Sequence, residues 1–441
     1  MAVENTFGSR RHFGPTCGAL VAVAALSLLA CSPGGGPLSY PVRSLTSPAD
    51  NAVTLSYEWT DVSTKSSAAP SPRSGPQIAY SPELGKVLLF GGYDVTANPD
   101  GDTWEFGSER WTEVSASGGP PGRWGGEMVY DASDGYLLMF GGRDDSQFFN
   151  DTWAYNSTGW HEIRTPSAPS PRSNSGLAYD PVDGDVVLFG GAIGNVPIGF
   201  GNPWVFYNDT WTYHAGTWTN ITRTAGTAPS PRYAGGMAYD SFDRYVVMQG
   251  GVTSGTPTCA TLYNDTWQFS DGRWTQLKPV PSPLPSFLSG LSFDTGTNTT
   301  VLYQGLFYQP ACPTYTSQVW GFSGGEWTHL APAPGAVPQG RASPGWTDDP
   351  ADNGELLFGG AGGPGIDYLN DSWLLTYGPV PTPSGAATPF YLSTLFLVGV
   401  GVVVALGLAV FVVWYGSRRK PPAPAAPAYP PAPPYPPAPP G

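Results

Sequence analysis

The sequence predicts an all-β protein, a six-bladed β-propeller with four-stranded blades, plus one transmembrane helix. Three observations carry this expectation. Gly-Gly doublets recur at Gly91-Gly92, Gly141-Gly142, Gly190-Gly191, Gly250-Gly251 and Gly359-Gly360, with a degenerate copy at Gln304-Gly305. Each interval of about 50 residues holds only short strand-like runs, and such a unit cannot bury its own faces without neighbours. The last copy lacks a fourth strand, and a matching orphan strand stands at the beginning.

Residues 169–222 show how one unit is built. Pro-Ser-Pro-Arg172 is a turn, because its prolines cannot donate to a ladder. A short strand over 175–179 precedes the reversal Asp180-Pro-Val-Asp183-Gly184, rich in turn formers. The continuous apolar run 185–189 predicts a strand covered on both faces. Gly190-Gly191 leaves it at backbone conformations that other residues avoid. After a long loop come Asn208-Asp-Thr-Trp211, a turn at Ala215-Gly216, and a fourth strand through Trp218.

The same parse holds for units starting near 70, 120, 229, 283 and 336. The sixth ends after Asn370-Asp-Ser-Trp373, while Tyr57-Glu-Trp59-Thr-Asp-Val62 matches Trp111-Thr-Glu-Val114 and Trp160-His-Glu-Ile163. The N-terminal strand is therefore expected to join the last unit and close a ring, removing exposed sheet edges.

The Arg-bearing turn, the Gly-Gly doublet and the two spaced Trp or Tyr strands resemble the kelch repeat family. The likeness spans about three quarters of the chain. It implies a propeller that presents ligand-binding loops, similar to the propeller of galactose oxidase but without its copper site. A copper-radical centre needs paired imidazoles, whereas His161, His214 and His329 fall in different units, and no cofactor is expected. Fold resemblance specifies architecture better than chemistry.

The ends predict a membrane-anchored, exported protein. Residues 1–31 read as an export signal, with Arg10-Arg11 ahead of an apolar run too short to span a bilayer. Leu28-Leu29-Ala30-Cys31 resembles a lipoprotein cleavage box, making Cys31 a lipidation candidate. A linker over 32–50 leads to the propeller, 51–378, and a second linker, 379–389, leads to the uncharged run 390–415. That run, from Phe390 to Tyr415, is long enough to cross a bilayer. Arg418-Arg419-Lys420 follow it, so the positive-inside rule puts the Pro-rich tail, 416–441, in the cytoplasm and the propeller outside the cell.

The formal charge is −14, and the basic residues of both termini make the middle more acidic still. Such a surface repels phosphates, which excludes nucleic acid as a partner. Cys259 and Cys312 each precede their unit's Trp-bearing strand by the same interval, and a disulfide between them is expected in an oxidising compartment.

The repeated Arg73, Arg123, Arg172, Arg232 and Arg341 are expected to pair with carboxylates or loop carbonyls. No catalytic or metal-binding constellation stands out. Asp94, Asn98, Asp100 and Asp102 crowd one loop without matching a calcium-loop signature. The loops 192–207, 252–263 and 306–316 are the long ones, and they carry Phe200, Trp204, Phe206, Tyr207, Phe307, Tyr308 and Tyr315. Aromatics on loops over a rigid scaffold predict a patch binding an extracellular protein or glycan. The expected function is thus non-enzymatic recognition at the cell surface. The alternatives are an extracellular carbohydrate-active enzyme, or a transmembrane connector with a Pro-rich docking tail.

Overall fold

The computed structural model describes residues 57–94, 99–114, 118–194, 204–253, 261–309, 312–363 and 367–377. The chain divides into two compact units, Met1–Val380 and Pro381–Gly441, and the described residues all belong to the first. The export signal with Cys31, the run 390–415 and the tail lie outside them. Among the described residues no helix is long and apolar enough to cross a membrane.

These residues form six four-stranded antiparallel sheets that fit a propeller. In the third, Gly176–Asp180, Asp185–Phe189, Thr210–His214 and Thr217–Asn220 pair in chain order. The first strand starts one residue later than expected, and the second matches its apolar run. Asp180 closes the reversal between them: its side chain accepts from Val182 N and its carbonyl from Gly184 N. The second strands, such as Lys86–Phe90 and Tyr136–Phe140, are buried almost throughout. Adjoining sheets cover both of their faces, so alternation is absent from their sequence.

The apolar core is therefore a set of layers between sheets. Leu138 and Phe140 of the second sheet pack with Leu177, Val186, Leu188, Tyr213 and Trp218 of the third. Each fully buried aliphatic side chain contributes about 1.5–3 kcal/mol. Hydrogen bonds cross the same layers. The outer-strand indoles of Trp160, Trp218, Trp274 and Trp327 donate to Thr103, Thr152, Thr210 and Thr266 of the preceding sheet. Trp111 donates to Ser372 of the sixth sheet in the same way.

In the sixth sheet the order is Gly345–Asp349, Gly354–Phe358, Ser372–Tyr377, then Tyr57–Asp61 as the outermost strand. Tyr57 pairs with Tyr377 and Asp61 with Trp373. Trp59 lies among Tyr303, Trp346 and Trp373, ring centroids 6.2–6.5 Å away.

At the inner ends of the sheets a chain of backbone hydrogen bonds returns to its start. Gly125 N donates to Gly75 O, Asn174 N to Gly125 O, Ala234 N to Asn174 O, and Leu288 N to Ala234 O. Ser343 N then donates to Leu288 O, and Gly75 N to Ser343 O, at 2.7–3.2 Å throughout. All six residues have φ between 48° and 65°. This left-handed conformation costs a non-glycine residue about 1–2 kcal/mol, and the cycle of bonds holds Ala234, Leu288 and Ser343 in it. The doublets add a second tie: Gly142 N donates to Arg172 O, and Gly360 N to Arg73 O. A Cβ on Gly141 would sit 2.8 Å from Arg172 O, which explains glycine there.

Candidate functional site: the axial cavity and the loop rim

The repeated charges are consumed by the scaffold. In five units the arginine makes the same four contacts. Arg172 Nε donates to Ser170 O, Nη1 to Gly190 O and Asp209 Oδ1, and Nη2 to Asp209 Oδ2, at 2.7–2.9 Å. Arg73, Arg123, Arg232 and Arg341 repeat this with Asp102, Asp151, Asp265 and Asp371. The carboxylate is the Asp of the Asn-Asp-Thr-Trp motif, and it also accepts the indole N–H of that motif's Trp. Burial alone would raise these carboxyls. The arginine's hydrogen bonds and charge outweigh it and hold Asp102, Asp209 and Asp371 below the usual range. Ring faces of Phe149, Tyr207 and Tyr263 lie about 4 Å from Arg123, Arg172 and Arg232.

The fifth unit changes the whole set together. Ser286 stands at the arginine's place, Gln304 at the glycine's and Gln318 at the aspartate's. A carboxylate kept without its arginine would be a partly buried unpaired charge. Gln304 Nε2 donates to Leu284 O instead.

Where the sheets converge lies a cavity of about 150 Å³, lined by the inner ends of all six first strands. Four residues after each repeated Arg position stands the first residue of the strand: Gln77, Glu127, Gly176, Gly236, Gly290 and Gly345. Glu127 is the sole charged side chain among the lining residues, and burial pushes its carboxyl up to about 8. Aligning the units on their arginines would have singled it out in the sequence. Arg143, also unremarked there, directly follows the second doublet. It is buried between Trp124 and Phe148, 4.7 and 4.9 Å from their ring centroids, without a hydrogen-bond partner for its guanidinium among the described residues.

The predicted rim residues separate. The long loops leave and return as short ribbons, Ala192–Ile193 with Val205–Phe206, Val252–Thr253 with Thr261–Leu262, and Leu306–Gln309 with Cys312–Tyr315. Trp204 and Phe206 stack on Tyr233, with centroids 6.3 and 5.6 Å apart, and Tyr315 packs against the same cluster. Phe307 is buried. Tyr207 belongs to the arginine clamp rather than to this patch, as Phe149 and Tyr263 at its equivalent positions show. Phe200, Cys259 and the side chains of Tyr308 and Cys312 lie outside the described residues, as does the bridge expected between the cysteines. Val205 remains 51% exposed beside the cluster.

Of the crowded acidic loop, Asp102 is taken by Arg73 and Asp100 lies 3.5 Å from the same guanidinium. The histidines stay apart: His161 meets Thr158 in the second sheet, His214 meets Asp185 in the third, and His329 packs on Trp320 in the fifth.

A family model described as the KLHDC2/KLHL20/DRC7 Kelch-repeats domain matches residues 85–305. Among solved structures, one titled "Structure of YjhT" is similar to this chain, with 16% identity and a TM-score of 0.52. The match covers 71% of this chain and 99% of that one, and at such identity it shows fold alone. No curated protein matches.

Proposed function

This chain belongs to the kelch-repeat family, and from that premise we propose that it is a six-bladed, ring-closed, membrane-anchored recognition protein. The ring is supported by the cycle of backbone bonds from Gly75 through Ser343, and by the pairing of Tyr57–Asp61 with Ser372–Tyr377. The anchor is supported by the uncharged run 390–415 with Arg418-Arg419-Lys420 after it, which gives an external propeller and a cytoplasmic tail.

One observation carries the binding role. The repeated Arg, Asp and Trp side chains are all engaged in the scaffold, while the long-loop ribbons present half-buried rings beside an exposed Val205. An apolar patch on loops over a rigid body suits an extracellular protein or glycan. The purified full-length chain is to be screened against cell-surface proteins and glycans. Val205→Glu with Thr261→Arg, both exposed, should weaken any hit at least about tenfold, about 1.4 kcal/mol, with unchanged circular dichroism. Capture that survives both substitutions sinks the rim as the binding surface.

A further inference from the structure

We propose that the axial cavity binds the protonated head of a small organic cation, a primary ammonium on a short alkyl chain, with Glu127 as its counter-ion. The inference rests on the cavity and is independent of the loop rim.

The packing does not ask for a side chain where Glu127 stands. At four of the six equivalent positions a Cβ would meet the next sheet: Met237 Sδ at 2.2 Å from Gly176, Leu291 Cβ at 2.6 Å from Gly236, Trp346 Cβ at 2.3 Å from Gly290, and Ile78 Cδ1 at 3.2 Å from Gly345. Only Gln77 and Glu127, on adjacent first strands, break that rule. Gln77 Nε2 donates to Gly75 O, and its buried Oε1 has no hydrogen-bond partner among the described residues. Glu127 is half-buried at the cavity and makes no hydrogen bond or ion pair among the described residues, so its carboxylate has no cation to balance it there.

The occupant follows from size and wall. A volume of about 150 Å³ equals roughly five waters at ~30 Å³ each, too roomy for a bare ion. No cluster of three His, Cys, Asp or Glu able to hold a metal occurs among the described residues. Ile78, Met128, Leu177, Met237, Leu291 and Trp346 give the wall an apolar share. An ammonium carrying about four carbons satisfies both the Glu127 carboxylate and these walls.

No other titratable side chain lines the cavity. Tyr80, Tyr136, Tyr179 and Asp180, on the strands packed around Glu127–Asp131, sit at the far ends of their strands, about 10 Å along at ~3.3 Å per residue. Glu127 alone therefore sets the pH response. Its carboxyl, at about 8 in the empty cavity, ionises on binding and releases a proton at neutral pH.

Calorimetric titration of the full-length chain with n-butylammonium at pH 7 and pH 9 tests this. Between those values Glu127 goes from about one-tenth to about nine-tenths ionised while the amine stays charged, so affinity should rise about ninefold. Glu127→Gln, a side chain the equivalent position already accommodates as Gln77, should lose at least tenfold in affinity with unchanged near-ultraviolet dichroism. Absence of binding at 1–50 mM (on the order of weak-ligand concentrations), equal binding of 1-butanol, equal competition by potassium, or full retention in Glu127→Gln would each overturn the proposal.

Discussion

Arg123 shows how one side chain ties several segments together. Its guanidinium is fully buried and reaches Pro121 O, Gly141 O and both oxygens of Asp151. Replacing it with Met leaves Asp151 with the Trp153 indole as its remaining side-chain donor and takes the guanidinium from the Gly141 carbonyl, and should cost about 3 kcal/mol. The fifth unit supplies a compensated form, Ser286 with Gln318. Arg123→Ser combined with Asp151→Gln should therefore recover at least about 1 kcal/mol relative to Arg123→Ser alone. Urea unfolding midpoints of the two single variants and the double variant measure this coupling; strict additivity would contradict the clamp. The clamp carboxylates also set a pH limit. The folded pKa values of Asp102, Asp209 and Asp371 lie below the unfolded ones, so the stability these three supply is present above about 4 and lost as pH falls below it.

At the scale of elements, the contact between the fifth and sixth sheets departs from the others. Glu355 is fully buried where four of the equivalent strands carry Val87, Leu137, Val186 and Val246 and the fifth carries Thr300. Its Oε2 accepts from Ser292 Oγ at 2.6 Å, and its Oε1 has no partner. Burial first, then the charges of Asp348 and Asp294, push its carboxyl well up, and burial with Asp294 takes Asp348 to about 7. These are acids with raised folded pKa values, so the folded state holds more protons than the unfolded one. Stability is then greatest at low pH and falls as pH rises from about 4 through neutrality. Glu355→Leu with Ser292→Ala gives this layer the apolar residue types that Leu137 with Ala79 and Val246 with Ala178 have elsewhere. It should raise stability at pH 8 by more than about 1 kcal/mol and reduce the loss between pH 5 and 8 to the part that Asp348 still supplies. A double variant less stable than the parent at pH 8, by urea unfolding, would refute this account of the layer.

For the whole molecule, the decisive element is the strand Tyr57–Asp61. It covers the edge of Ser372–Tyr377, brings Trp59 into the ring cluster, and Val62 N donates to Ser372 O at 2.9 Å. The hydroxyl that other outer-strand indoles use is replaced here by Val319, so ring packing takes its place. Removing residues 1–62 leaves an open strand edge and a cavity where a buried Trp stood, worth about 3–5 kcal/mol. The melting temperature should drop by about 10 °C, and the protein should associate with increasing concentration. Scanning calorimetry and light scattering read both; an unchanged, monomeric truncation would mean the strand holds nothing together.

The sequence by itself determined the all-β repeat, its strands and doublets, and the Tyr57 segment as an outer strand, because these depend on local turn chemistry and on runs that repeat at a readable period. The pairing of arginines with carboxylates or carbonyls was also legible as a class of contact. Tertiary structure alone decided which atoms meet. The interval from Arg to its Asp runs from 28 to 37 residues, because a loop of variable length intervenes, so no fixed spacing marks the clamp. For the same reason the sequence places Tyr207 with the rim aromatics, whereas its ring lies 4.0 Å from the Arg172 guanidinium. Glu127 drew no notice in the sequence, because only the convergence of six first strands, each from a distant stretch of chain, brings that position to a shared cavity.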